Sequence, residues 1–218
     1  MNFFEETIFT KDVVDLTTFD RRMLNLGMFA AALDKKKKAL EYIETAPKVL
    51  MSIEKIQIVY GLTIEEIKEM QSLMSVFYDI PFFNGRSIWA EVADLPMIQK
   101  LQDNDWMLTC IMRQQDTVAS LSVAGGIILS LESTSLSLSR ICEWIASTHG
   151  KMSITNLEHV FNETFGTRIS ASKLAEKLKA SGSWDKVVTD SLDEYIDSLV
   201  DAGLSDIDAD DLLLEEFF

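Results

Sequence analysis

Apolar residues recur along most of this chain at spacings of three and four, the mark of successive helices that each turn one face to a core. After an apolar lead-in at residues 3–9, Thr18 is placed to cap a helix reaching Ala32. The four lysines Lys35, Lys36, Lys37 and Lys38 open a second helix that must end before Pro47. A third spans residues 48–60, closed by Gly61. Thr63-Ile-Glu-Glu66 has the spacing of a capping box, and the helix it opens carries Ile64, Ile67, Met70, Leu73, Met74 and Phe77 on its apolar face. Ile80-Pro-Phe-Phe-Asn-Gly85 reads as a long turn and a candidate domain seam. Residues 117–131, the most apolar stretch, read as a buried helix, with a short strand near Ile127 and Leu129 as the alternative.

The second half is more sharply punctuated. One helix is expected over residues 135–147, stopping at Gly150, and another opens on the capping box Thr155-Asn-Leu-Glu158 and stops at Gly166. A third starts near Ser170 and stops at Gly182. The last has Ser183 as cap and Gly203 beyond its end, with Trp184, Val187, Val188, Leu192, Tyr195, Ile196, Leu199 and Val200 on one stripe. The pattern predicts an all-α protein in three parts. These are an N-terminal helical bundle over 1–132, a module of short helices over 133–203, and a tail over 204–218.

Composition places the chain among globular proteins: 47% of its 218 residues are hydrophobic, too many for wholesale disorder. Two cysteines, Cys110 and Cys142, rule out a disulfide framework and fit a reducing compartment. The start, Met-Asn-Phe-Phe-Glu-Glu, lacks the basic and apolar regions of a signal peptide, and no apolar run approaches the roughly 20 residues needed to cross a bilayer. The expectation is a cytoplasmic protein without membrane contact.

Charge changes the picture most. Residues 1–182 carry 23 acidic and 19 basic side chains, whereas residues 183–218 carry 12 acidic side chains and Lys186 alone. Eleven of the 15 excess negative charges therefore lie in the last 36 residues. Such a segment repels phosphate backbones and is drawn to cationic protein surfaces.

Residues 136–203 look like a helix-turn-helix or winged-helix module, and Ile169-Ser-Ala-Ser-Lys-Leu-Ala-Glu-Lys-Leu178 resembles the positioning helix of such folds. The resemblance covers about a third of the chain; it implies that Gly182 serves the turn and that residues 184–202 take the recognition position. The charge there opposes duplex reading. Asp185, Asp190, Asp193, Glu194, Asp197 and Asp201 face one lysine where a recognition helix needs Arg, Lys, Asn or Gln. No direct duplex binding is expected of this face, and a protein partner fits it better.

The tail, Leu204-Ser-Asp-Ile-Asp-Ala-Asp-Asp-Leu-Leu-Leu-Glu-Glu-Phe-Phe218, alternates carboxylates with large apolar residues. It is similar in composition to the closing peptides of single-stranded-DNA-binding and clamp-binding replication proteins. Two readings stay open, a docking peptide and a last helix folded back on its own domain. The docking reading assigns partner contact to Asp193, Glu194, Asp197, Asp201, Asp206, Asp208, Asp210, Asp211, Leu213, Leu214, Glu215, Glu216, Phe217 and Phe218. Asp206, Asp208 and Asp210 have the opening spacing of a calcium loop, but Asp211 and Phe217 stand where it requires Gly and Glu.

No catalytic, cofactor or metal residue is assigned. His159 and Glu163 make half a metal site, and Cys142 with His149 lacks an orienting acid and an oxyanion donor. Gly125-Gly126 lacks the surroundings of a phosphate loop. The lysine run at 35–38 reads as a solvated helix face, or as a receiver for the acidic tail. The expected function is that of a non-enzymatic interaction factor whose acidic C-terminal region docks on a basic surface, such as that of a nucleic-acid-binding protein. The alternatives are a transcription or replication regulator, a structural subunit of an assembly, and an enzyme built from scattered carboxylates.

Overall fold

The computed structural model describes residues 8–24, 27–73, 79–115, 117–131 and 136–191. Among these the fold is mixed, with two antiparallel sheets beside the helices, so the all-α expectation is corrected. The chain forms two compact units, the first covering Met1–Ala119 and Leu129–Glu132, the second Ser120–Ile128 and Ser133–Phe218.

The first unit begins with strand β1 (Val13–Asp15), a 3-10 turn (Leu16–Thr18), and helices α1 (Arg21–Leu24) and α2 (Gly27–Lys38). The expected second helix does not follow. Leu40 takes a left-handed φ of 55°, and the chain turns into β2 (Tyr42–Ala46) and β3 (Val49–Ser52), joined through Lys48 at φ 64°. Tyr42, Ile43, Thr45 and Val49 are strand formers, and pairing on both sides of β3 gives them partners that no local window reveals. The sheet order is β1-β3-β2, with Val14 opposite Leu50 and Ile43 opposite Met51.

Val14 and Leu50 face a core that includes Ile8, Phe9, Leu16, Leu24, Phe29 and Tyr42. Phe9 stacks on Phe29 at 6.1 Å between centroids and meets Tyr42 at 5.5 Å, while the Tyr42 hydroxyl donates to the Lys11 carbonyl at 2.8 Å. The rings bury apolar area without leaving the phenol unpaired.

Helix α3 (Ile53–Tyr60) is capped by the Ser52 hydroxyl and closed by Gly61 at φ 66°. Helix α4 (Ile64–Ser72) opens on the expected capping box, with both reciprocal bonds of Thr63 and Glu66 in place. Ile67 and Met70 are buried, Ile64 is exposed, and Met74 and Phe77 lie outside the described residues. The turn before helix α5 (Gly85–Val92) lies within the first unit, with Phe82, Phe83 and Asn84 buried. After α6 (Pro96–Gln99) comes α7 (Asp105–Arg113), the central helix of this unit, with residues 107–112 all buried. It packs on β2, α4 and α5, and Asn104 and Gln114 at its ends donate to the Thr45 and Tyr42 carbonyls.

Residues 117–131 are not a helix. They form the hairpin β4 (Ala119–Val123) and β5 (Gly126–Ser130), turned at Gly125 with φ 80°. A short apolar run rich in β-branched residues satisfies helix and strand templates alike, and the glycine pair decides for the turn.

The second unit holds α8 (Leu138–His149), α9 (Ile154–Phe165), α10 (Ala171–Ser181) and the single turn α11 (Trp184–Val187). Hydroxyls of Ser137, Ser153 and Ser170 cap the three long helices, so Ser153 rather than Thr155 begins α9. Gly166 and Gly182 close α9 and α10 in the left-handed region, as their positions predict. The three helices pack on one another around Ile141, Ile145, Leu157, Phe161, Phe165, Leu174 and Leu178. Among the described residues no helix is long and apolar enough to cross a membrane.

Gly85 offers a direct test of this packing. A Cβ there would stand 2.1 Å from the Asp105 carbonyl oxygen and 2.9 Å from Thr109 Oγ1, which accepts the Gly85 amide. Gly85→Ala should destabilise the protein by about 3 kcal/mol in urea unfolding, the upper range for overpacking. Gly27→Ala meets nothing within 4 Å and should stay within about 0.5 kcal/mol of the parent.

Candidate functional site

The sequence placed the functional residues on a helix from Ser183 to Gly203 and on the tail beyond it. That helix is interrupted. After α11, Val188 is extended at φ −101° and ψ 143° and forms a parallel bridge with Met152. Tertiary pairing overrides the local periodicity here. The Met152 amide donates to the Val187 carbonyl at 3.2 Å, and the Thr189 amide donates to the Met152 carbonyl at 3.0 Å. The expectation of a single helix running on from Trp184 through Ser191 is therefore corrected, and residues 192–202 of the expected recognition helix lie outside the described residues.

Trp184, Val187 and Val188 are buried, as the stripe predicted, and its remaining members, Leu192, Tyr195, Ile196, Leu199 and Val200, lie outside the described residues. Side chains and backbone reinforce the break. The Trp184 indole N–H donates to the Asp190 carbonyl at 2.9 Å. Asp190 Oδ2 accepts the amide of Ile154, the first residue of α9, at 3.0 Å. A carboxylate at this position satisfies an orphan donor and meets the positive end of the helix dipole. Asp190 therefore serves the fold and is no member of a uniformly exposed acidic face.

Glu143 on α8 holds the other end of this segment. The Ser183 hydroxyl donates to Glu143 Oε1 at 2.6 Å, and Lys186 Nζ donates to the same oxygen at 3.3 Å. The Ser183 bond, with the Lys186 charge behind it, holds the Glu143 carboxyl below the usual glutamate range. Lys151 Nζ donates to the Asp185 carbonyl at 2.5 Å. Residues 183–190 are thus tied to α8 and to both sides of the α9 start, and they fix where the acidic segment leaves the described fold.

The residues assigned to partner contact, Asp193, Glu194, Asp197, Asp201, Asp206, Asp208, Asp210, Asp211, Leu213, Leu214, Glu215, Glu216, Phe217 and Phe218, lie outside the described residues. Sequence reasoning missed the anchoring roles of Glu143, Met152 and Asp190, because each pairs with a residue more than 30 positions away.

The other candidates resolve individually. The lysine run is engaged at home: Lys36 pairs with Glu41, Lys37 with Glu44 at 2.7 Å, and Lys38 with Asp34 at 3.4 Å. His159 and Glu163 meet at 3.5 Å on the surface, 77% and 72% exposed. Burial pushes the Cys142 thiol up to about 12 and the Cys110 thiol higher still, so neither is a thiolate near neutrality. Gly125 and Gly126 pack against Arg168 and Thr167, and the Arg168 amide donates to Ala124 at 2.7 Å. Among the described residues no three potential ligands gather into a metal site.

Charge separates the helices of this unit. Helix α8 balances Arg140 with Glu143, α9 has Glu158 and Glu163 with no lysine or arginine, and α10 has Lys173, Lys177 and Lys179 against Glu176. Lys173 and Lys177 both reach the Glu176 carboxylate, at 3.4 and 3.5 Å. The α10 surface therefore keeps a cationic surplus.

No family model matches the chain, and no match is found among curated proteins or solved structures.

The lowered Glu143 pKa carries a pH signature. An ionised Glu143 stabilises the fold above the ordinary value of 4.5, and the contribution is lost as pH falls through the depressed folded value. The stability gap between the parent and Glu143→Gln should be full near about pH 7 and should close on acidification below that value, measured by thermal unfolding across the series. A gap that persists unchanged at the acid end contradicts the assignment.

Proposed function

We propose that this protein is a non-enzymatic interaction factor whose acidic residues 192–218 dock on a basic surface of a partner, in the concrete form of occluding a nucleic-acid-binding groove. The observation that carries the reading is charge segregation. The described helical part of the second unit, residues 136–191, has seven lysines and arginines against six carboxylates, whereas residues 192–218 have ten carboxylates and no lysine or arginine. Leucines and phenylalanines interleaved with those carboxylates supply apolar anchors inside a charged rim. A cationic groove shaped for phosphates meets the same demand.

A second reading, a transcription or replication regulator, is favoured by one feature. Three mutually packed helices present their lysine surplus on α10, the second helix of the α9–α10 pair, in place of the acidic stretch after it.

The test uses the full protein and a chain ending at Gly203 as baits in an extract of the native cell, washed at about 50 mM and about 500 mM salt. The expected outcome is a nucleic-acid-binding protein held by the full chain at low salt, released at high salt, displaced by added duplex and lost on truncation. Retention indifferent to salt or to truncation overturns the proposal. Binding of the full chain itself to a DNA resin favours the second reading.

A further inference from the structure

We infer that the resident occupant of the cationic α10 surface is this chain's own acidic segment, residues 192–218, held in cis. The inference rests on the reading of that segment as an acidic ligand, although it requires no partner in trans. Three observations converge on it.

The first is selectivity of charge. Helix α9 exposes His159 and Glu163 and repels carboxylates, α8 is balanced with Glu143 already bound by Ser183 and Lys186, and α10 alone of the three is cationic. Lys173 and Lys177 share one carboxylate, which leaves this pair with one positive charge in excess. Lys179 lies on the last turn of α10, where a cation also complements the helix dipole.

The second is the point of departure. Helix α11 packs on α10 and on α8, and Asp190 and Thr189 are fixed to the α9 start. The acidic segment thus sets out from a fixed point of the same unit, beside the α9 start, and α11, the turn just before that point, packs on the helix whose charge complements it.

The third is reach. Twenty-seven residues beyond Ser191 span up to about 90 Å when extended, several times the radius of about 13 Å expected for a domain of this size. Tethering raises the local concentration of carboxylates at α10 to the order of millimolar. At that level weak ion pairs suffice for occupancy, and a free polyanion must compete with the segment before it contacts the lysines.

The experiment is paramagnetic relaxation enhancement on the full chain carrying Ser205→Cys with a nitroxide label. The native Cys110 and Cys142 are buried and leave the label on one site. Amide signals of Lys173, Lys177 and Lys179 should fall to less than about half of their diamagnetic intensity, those of His159 and Glu163 should be spared, and about 500 mM salt should restore the first group. The triple variant Lys173→Glu, Lys177→Glu, Lys179→Glu should lose the effect while keeping the amide shifts of α8 and α9. Should that variant unfold, the salt series decides alone. Uniform broadening, broadening centred on α9, or an effect indifferent to salt overturns the inference. Broadening in a mixture of spin-labelled and isotope-labelled chains assigns the occupant to a second copy and overturns the cis assignment. Salt-sensitive partner capture without α10 broadening leaves the partner reading standing and this one refuted. The converse pattern does the opposite.

Discussion

The second unit depends on how residues 183–190 are held. A parallel backbone bridge between Met152 and Val188 stops a helix that local periodicity would otherwise continue, and the Asp190 carboxylate then lands on the first free amide of α9. Trp184 contributes twice, burying its ring and donating its N–H to the Asp190 carbonyl. Each contact supports the next. Asp190 reaches Ile154 because Val188 is extended, and α11 stays on α8 and α10 because Glu143 binds both Ser183 and Lys186. The acidic sequence that follows departs from a fixed point.

The first unit rests on an equivalent economy around α7. Thr109 accepts the Gly85 amide and donates to the Asp105 carbonyl, so one hydroxyl joins the start of α5 to the middle of α7. The absence of a side chain at Gly85 permits that approach. Asn104 caps α7 while its amide nitrogen reaches the Thr45 carbonyl, coupling the helix start to β2. Polar side chains at helix ends thus join one element to the next.

What the sequence disclosed follows the range of the interactions. The Thr63 capping box and the helix stops at Gly61, Gly166 and Gly182 were legible, because each signal lies within a turn of the boundary it sets. The strands were not. β1, β2 and β3 are three to five residues long, too short for a period to declare itself, and their stability comes from partners elsewhere in the chain. The hairpin over 119–130 reads as a buried helix until the Gly125 turn is weighed against the apolar run. The helix expected from Trp184 stops at Val187 for a third reason, a backbone partner at Met152 that competes with it. At the candidate site the charge was legible, since composition needs no fold, and the anchoring of its near end was not.

The account stands on that anchoring, and backbone hydrogen exchange read residue by residue reports on it most directly. The amides of Met152, Ile154 and Thr189 should be protected to the level of the α9 interior at Phe161, and Asp190→Ala should release Ile154 while Phe161 keeps its protection. Exchange of Ile154 and Thr189 at free-peptide rates in the parent protein would contradict it.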